Sequence, residues 1–232
     1  MVAFAGADPI GVLIGAKRAS GTLVHKIAVH PDHRRQGHGR HLLTSLSSKL
    51  AILGPPRIVA EVPETLAPAC ELFSACGYVE EARLTDYALN REANDVGGAA
   101  RMFVIPVTID DLAANDLLGE RPHVCWERSV ETMTAGKDNI SGLAVASDER
   151  IEAYVLYAKR RMEETEILSL RSFIDDGGAR LKQLLSRLRA LGMETFRFSK
   201  VHPAEISKEW IEALGFSPVG VHRLCATTAK SA

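Results

Sequence analysis

A short basic segment with two glycines offers the clearest chemistry in this sequence. It reads Arg34-Arg-Gln-Gly-His-Gly-Arg40 and directly precedes a run of leucines. Glycine lets a backbone approach a ligand closely, and the arginines add positive charge. If a helix follows, its first-turn N–H groups have no partner within the helix and point at the same ligand. The segment therefore predicts a phosphate or diphosphate site; the alternative is a glycine turn beside a solvated basic surface.

The flanking residues predict the elements that would position this segment. Residues 23–29 are apolar and rich in β-branched side chains, which predicts a strand that ends before Pro31. Residues 40–53 carry leucines at helical spacing, and Gly54 followed by two prolines predicts the end of the helix. The predicted order is strand, basic glycine segment, helix. Turn residues at 6–9 and 19–21 predict two hairpins before this strand, and further helices are predicted at 64–76, 109–118 and 124–133.

The motif Val29-x-Pro31-x-x-Arg34-Arg35-x-Gly37-x-Gly39 resembles the acyl-CoA signature of the GNAT superfamily of N-acyltransferases, whose core is Gln/Arg-x-x-Gly-x-Gly/Ala. The resemblance implies acetyl-CoA as cosubstrate. It also implies a strand that splays from its neighbour and binds the pantetheine arm through Ile27, Ala28 and Val29. The residues that it implies for the pyrophosphate are Arg34, Arg35, Gln36, Gly37, His38, Gly39 and Arg40.

The same resemblance implies direct acyl transfer from the thioester to an amine in a ternary complex. Such a reaction needs a general base, for which Glu61 and His25 are the candidates, each with the alternative of being a solvent-facing strand residue. A free backbone N–H at Ala28 or Val29 would stabilise the thioester oxygen. Many members of the family use a tyrosine as the acid, but Phe73 stands at that position.

Other function classes are less well supported by the sequence. A catalytically silent CoA sensor or assembly protein remains the alternative, favoured by Phe73. A dinucleotide-binding oxidoreductase needs a third glycine where Leu42 stands. Five histidines at 25, 30, 33, 38 and 41 match no zinc pattern, so no metal is expected. The formal net charge of −1 predicts no nucleic-acid or membrane partner.

The chain of 232 residues has no signal peptide or apolar membrane-spanning run, and its four cysteines form no CxxC pair. These features predict a cytoplasmic protein. The resemblance implies a small-molecule or peptide amine as the acceptor.

The expected fold class is α/β (α+β). It consists of two tandem GNAT-like domains, 1–98 and 99–232, each a mixed, mostly antiparallel twisted sheet flanked by helices, with a polar linker at residues 90–98.

An internal repeat supports the tandem. A constant offset of 138 residues aligns the leucines of two predicted helices, and it also aligns Gly77-Tyr78 with Gly215-Phe216. At the basic segment, the second copy has Asp175 and Asp176, which would repel a pyrophosphate. The first copy lacks about 38 residues at its start. Its open sheet edge therefore predicts an interdomain or homodimer interface.

Overall fold

A computed structural model describes residues 1–90, 103–119, 124–159 and 164–230. The chain forms two compact units. Unit 1 comprises Met1–Leu84 and Val221–Ala232, and unit 2 comprises Thr85–Gly220. The sequence-based division at residue 98, and all of its linker except Asn90, fall in 91–102, outside the described residues. The units instead divide within two strands, and the end of the chain belongs to unit 1.

Unit 1 is a sheet with two helices. In chain order its elements are β1 (Val2–Ala5), β2 (Asp8–Arg18), β3 (Gly21–Val29), a 3-10 turn (Pro31–His33), α1 (His38–Leu53), β4 (Arg57–Pro63), α2 (Ala67–Ala75), the first part of β5 (Val79–Leu89) and the second part of β11 (Ser217–Thr228). The strand order is β1-β2-β3-β4-β11-β5. Strands β1, β2 and β3 form antiparallel hairpins, and β3 runs parallel to β4, as the helix between them requires.

One apolar core lies under the helices of unit 1. The leucines of α1 and Phe73 of α2 pack on inward-facing residues of the sheet; the buried members are Leu13, Val24, Leu42, Leu43, Leu46, Leu50, Ile58, Ala60, Val62, Phe73, Tyr78 and Cys225. On the other face of the β1–β2 hairpin, the side chains of Val2 and Phe4 are 50% and 60% exposed.

The last strand of the chain completes the sheet of unit 1. Strand β11 pairs antiparallel with β4 from His222 opposite Pro63 to Thr228 opposite Arg57. Glu64 also donates its N–H to the Val221 carbonyl at 2.9 Å. Leu66 donates its N–H to the Pro63 carbonyl at 2.9 Å in a turn, and α2 begins after it at Ala67, three residues later than the sequence predicts.

Unit 2 repeats the plan and adds helices. Its elements are the second part of β5, β6 (Phe103–Val107), α3 (Ile109–Ala114), α4 (Val130–Ala135), β7 (Ser141–Ala146), β8 (Ile151–Lys159), β9 (Glu164–Ser172), α5 (Ala179–Ala190), β10 (Thr195–Val201), α6 (Lys208–Ala213) and the first part of β11. Its strand order is β5-β10-β9-β8-β7-β6. One core includes the leucines of α5, and a second includes buried residues of α3 and α4.

Two predicted helices of unit 2 are shorter than expected. The predicted helix at 109–118 ends at Ala114, since the Asn115 side chain donates to the Asp111 carbonyl and Asp116 turns the chain with φ of 55°. The predicted helix at 124–133 is instead a 3-10 turn followed by α4. Ser129 separates the two with an extended backbone, and its side chain caps α4. No helix in the described ranges combines the length and apolar composition of a membrane span.

Candidate active site

A β-bulge opens the sheet of unit 1 at β3. Lys26 pairs with Ile14 and Val24 pairs with Gly15, so His25 is an extra residue without a partner on β2. The parallel pairing of β3 with β4 is confined to Thr22 and Leu23. A bulge bends and twists its strand locally, and from His25 onward β3 runs without a ladder to β4. The strand therefore has one open edge along residues 25–29.

The open edge leads directly into the glycine segment. Pro31–His33 forms the 3-10 turn, and Gly37 then caps α1 with φ of 87°, a conformation that favours glycine. Within the described residues, no side chain caps this helix. Its first backbone hydrogen bond is donated by His41 to the Gly37 carbonyl at 2.9 Å. The N–H groups of His38, Gly39 and Arg40 therefore have no carbonyl partner in the helix.

Two side chains brace the segment from within. Arg34 Nε donates to the Val29 carbonyl at 3.1 Å, and Gln36 Nε2 donates to the Asp32 carbonyl at 3.1 Å. Arg35 adopts φ of 62° and lies 3.6 Å from the Glu71 carboxylate of α2, with both side chains largely exposed. Arg34 and Gln36 thus fix the backbone, whereas Arg35 stays accessible to a ligand.

The start of α1 packs closely on α2. A Cβ atom at Gly39 would lie 3.0 Å from Leu72 Cδ2, so the second glycine of the motif allows this approach. Arg40 contacts Cys76 at the end of α2. Burial nevertheless raises the pKa of the Cys76 thiol, against the effect of Arg40. A protonated thiol is a poor nucleophile, so Cys76 has a packing role here.

The two candidate bases lie on neighbouring strands. Ala60 and Val62 face the core of unit 1, so Glu61 lies on the opposite face of β4, where it is half-buried. His25 is exposed at the bulge of β3. Phe73 is 3% exposed and packs edge-on against Tyr78, with ring centroids 5.0 Å apart. The position at which many family members carry a tyrosine acid is thus an apolar core position.

Unit 2 has the same backbone plan, but protein carboxylates occupy the positions that are open in unit 1. Leu168 is the bulge residue of β9, and β9 pairs with β10 only from Glu164 to Glu166. The buried Glu166 carboxylate then accepts the Ser199 N–H at 3.3 Å, across the point where the strands part. A protein carboxylate therefore bridges the start of the gap in unit 2.

The helix that follows is also closed to anions. Asp176 accepts the N–H groups of Gly178 and Arg180, each at 3.0 Å, and Arg180 Nη1 donates to it at 2.7 Å. Burial alone would raise the pKa of Asp176, but these hydrogen bonds lower it below its usual range. The carboxylate therefore stays ionised where an external anion would bind.

The structure corrects one detail of the repeat. The offset of 138 holds from β4, which begins at Arg57, to β10, which begins at Thr195. The N-caps of the two helices, however, are Gly37 and Gly178, which differ by 141 positions, so the helix starts do not follow the offset of 138. Helix α5 has 12 residues where α1 has 16, and this difference shifts the alignment.

Comparisons with known proteins agree with this architecture. Residues 1–80 match the family model described as an acetyltransferase (GNAT) domain. A tandem GNAT protein from the clavulanic acid biosynthesis pathway superposes with a TM-score of 0.73 at 19% identity, covering 100% of this chain and 82% of that one. The chain carries a tandem GNAT fold.

Two further structures are similar in fold to this chain. A GCN5-related N-acetyltransferase from Sphaerobacter thermophilus has a TM-score of 0.67 at 13% identity, covering 97% of this chain and 78% of its own. A GCN5-related glucosamine N-acetyltransferase region of a fungal GH3 β-N-acetylglucosaminidase has a TM-score of 0.71 at 10% identity, covering 96% of this chain and 32% of its own. A search of curated protein sequences found no match.

The GNAT fold gives the predicted residues a common location. The strand residues Ile27–Val29 form the open edge, the segment 34–40 joins it to α1, and His25 stands where the strands part. From the sequence, no role was predicted for His30 or His33, which lie beside the segment, and the capping of α5 by Asp176 was not predicted. The spacing of the histidines around Pro31 was the available signal for His30 and His33.

Proposed function

We propose that unit 1 binds acetyl-CoA and transfers the acetyl group to an amine by direct attack in a ternary complex. The observation that carries this proposal is the continuous path from the open edge of β3 into the uncapped first turn of α1. An extended arm can pair with a free strand edge, and a diphosphate suits the free amides of a helix start.

The chain's own residues fit such a ligand. Successive residues of a strand direct their backbone groups to alternate sides. His30 donates its N–H to Ile10 of β2, and the Ala28 carbonyl lies toward Gly11 of β2. By alternation, the backbone groups of Ile27 and Val29 face the open edge. We therefore assign the pantetheine arm to these two residues and the diphosphate to segment 34–40.

When bound, acetyl-CoA supplies an activated thioester carbonyl. A backbone N–H on the open side of β3 would donate to the oxygen of that carbonyl as negative charge develops. Of Ala28 and Val29, Val29 faces the open side. His25 or Glu61 accepts the proton from the attacking amine, and both lie outside the core of unit 1.

Unit 2 has a structural role in this proposal. Its helix α5 presents amides that Asp176 already occupies, and Glu166 crosses the start of its strand gap. Binding a diphosphate there would require displacement of the ionised Asp176 from the helix start, and like charges repel. We therefore expect one acetyl-CoA per chain.

The four free cysteines are in keeping with a cytoplasmic protein.

A catalytically silent CoA-binding protein is the second candidate. Phe73 favours it, because an apolar ring cannot protonate the departing thiolate. In an active enzyme, solvent water would have to supply this proton. The acceptor in the first candidate is a small-molecule or peptide amine.

Two measurements test these functions. Thermal unfolding with acetyl-CoA, CoA or NAD should show stabilisation by the first two alone, since a ligand that binds only the folded state raises its stability. Release of free thiol from acetyl-CoA in the presence of an amine panel then separates an enzyme from a silent binder. Absence of stabilisation by acetyl-CoA and CoA would contradict both candidates.

A further inference from the structure

A row of three imidazole rings lies beside the glycine segment of unit 1. The ring centroids of His30 and His33 are 5.9 Å apart, and those of His33 and His38 are 6.1 Å apart. Both contacts are edge-on, with interplanar angles of 60° and 69°. His38 is the first residue of α1, His33 ends the 3-10 turn and His30 precedes that turn. The row therefore extends from the helix start back along the turn.

The environment of the row differs between its two ends. His33 and His38 are half-buried, whereas His30 is exposed and lies 3.8 Å from the carboxylate of Asp32. The accessible Arg35 belongs to the segment between His33 and His38. An anion is therefore favoured at the inner end of the row, near His33 and His38, and disfavoured at the outer end beside Asp32.

The row does not have the geometry of a metal site. In the described chain, the nitrogen atoms of these three rings do not all lie within 4.8 Å of one another. Imidazole N–H groups are also hydrogen-bond donors to phosphate oxygens, and such bonds to a charged acceptor are stronger than neutral ones. The N–H groups of the half-buried His33 and His38 therefore suit a phosphate group better than a metal ion.

A diphosphate on the first turn of α1 leaves part of this row unused. The next ring in the row is about 6 Å from His38. Coenzyme A carries a third phosphate on the 3′ carbon of the ribose that adjoins its diphosphate. We propose that His33 and His38 form a subsite for this 3′-phosphate, so that unit 1 distinguishes CoA from 3′-dephospho-CoA. The inference rests on the proposed function, because it extends the same ligand.

Calorimetric titration of the full chain with CoA and with 3′-dephospho-CoA tests the subsite. We expect CoA to bind roughly tenfold more tightly, as one lost charge-assisted hydrogen bond implies. In the His33→Ala/His38→Ala double variant, the ratio of the two Kd values should fall to about one. The ratio is the measured quantity, because loss of the His38 side chain beside the diphosphate lowers the affinity for both ligands alike. The exposed His41, outside the row, provides a control: His41→Ala should keep the wild-type ratio.

The outcomes separate the subsite from the wider proposal. If the wild-type chain binds neither ligand, the proposed function fails and the subsite with it. If it binds both equally, the subsite alone is overturned. A ratio that survives in the double variant, or that falls equally in His41→Ala, also overturns the assignment to the row. Should the double variant not fold, His33→Gln, which keeps a polar side chain of similar length, gives the same comparison.

Discussion

Gly37 and Gly178 occupy equivalent positions in the two units, with φ of 87° and 84°. Each directly precedes the helix that follows a bulged strand. The amides beyond Gly37 lack a side-chain cap in the described structure, whereas those beyond Gly178 bind Asp176. Two glycines of similar backbone geometry thus precede one helix without a side-chain cap and one helix capped by Asp176. The two positions can therefore be compared by mutation.

Replacement of either glycine should strain the backbone, but only the replacement in unit 1 should weaken binding. Gly37→Ala and Gly178→Ala each place a Cβ in left-handed backbone, at about 1–2 kcal/mol. The Cβ at Gly178 would also lie 3.2 Å from Leu214 Cδ2, so we expect Gly178→Ala to lose more stability. We expect Gly37→Ala alone to weaken acetyl-CoA binding, roughly tenfold, because the altered loop misaligns the first-turn amides. Urea unfolding and calorimetric titration provide the two measurements. Equal loss of binding in both variants would contradict the assignment of the site to unit 1.

Ionised Asp176 should stabilise unit 2 in a pH-dependent manner. Its folded-state pKa is lowered, so this stabilisation is complete above the ordinary carboxyl pKa and is lost as the pH falls through the folded value. We expect Asp176→Asn to lower the free energy of unfolding by about 1 kcal/mol at pH 7, and by less at pH 3. Urea midpoints at the two pH values test this. An equal loss at both would assign the effect to packing instead of charge.

The buried pair of Arg128 and Glu205 should be strongly coupled. Arg128 is 1% exposed, and its Nη1 and Nη2 donate to Glu205 at 2.7 and 2.6 Å. Although burial favours its neutral form, interactions with Cys125 and Glu205 raise the pKa of Arg128. Glu205→Gln should therefore cost about 3–5 kcal/mol, because it leaves a buried charge unpaired.

A double-mutant cycle provides the control for this pair. The variant Arg128→Met/Glu205→Gln should be more stable in urea than Glu205→Gln alone, since it removes the unpaired charge. Strictly additive losses would mean that the two side chains stabilise unit 2 independently.

Strand β11 should be required for the stability of unit 1. Ala226 is buried, pairs with Val59 and lies in a strand between β4 and β5. Ala226→Pro removes a ladder N–H from this central strand, and we expect a loss of at least about 2 kcal/mol. Lys230→Pro, beyond the strand, loses only an exposed bond to Ser47 and should have a smaller effect. Thermal unfolding and acetyl-CoA binding measure both; unchanged binding by Ala226→Pro would refute the requirement.

The two candidate bases should differ in their contribution to turnover. A bulge can re-aim a side chain beside an active site, and His25 is the bulge residue where β3 leaves β4. We expect His25→Gln to lower kcat about a hundredfold with little change in the Kd of acetyl-CoA. Glu61→Gln, on the adjacent strand, should have the smaller effect. The reverse order in a thiol-release assay would assign the base to Glu61.

Local sequence patterns were sufficient for most elements of both units. The leucine spacing of α1 and α5, the prolines that end strands and the hairpin turns all predicted segments that the structure contains. Helix ends were predicted less well, because they depend on individual bonds. Asn115 ends α3 through the Asp111 carbonyl, and Ser129 starts a separate helix.

The position of the glycine segment between a strand and a helix was also predictable from sequence, because its glycines, arginines and following helix are contiguous. The bulge at His25 was not, since it is defined by the register of β3 against β2 rather than by residue type.

By itself, the sequence determined the order of elements, the repeat and the basic glycine segment, because each depends on residues close together in the chain. Tertiary structure decided that β11 joins β4, that β3 opens beyond Leu23 and that Asp176 fills the second helix start. These features depend on pairing between distant strands and on backbone geometry at single residues, which composition and spacing do not specify.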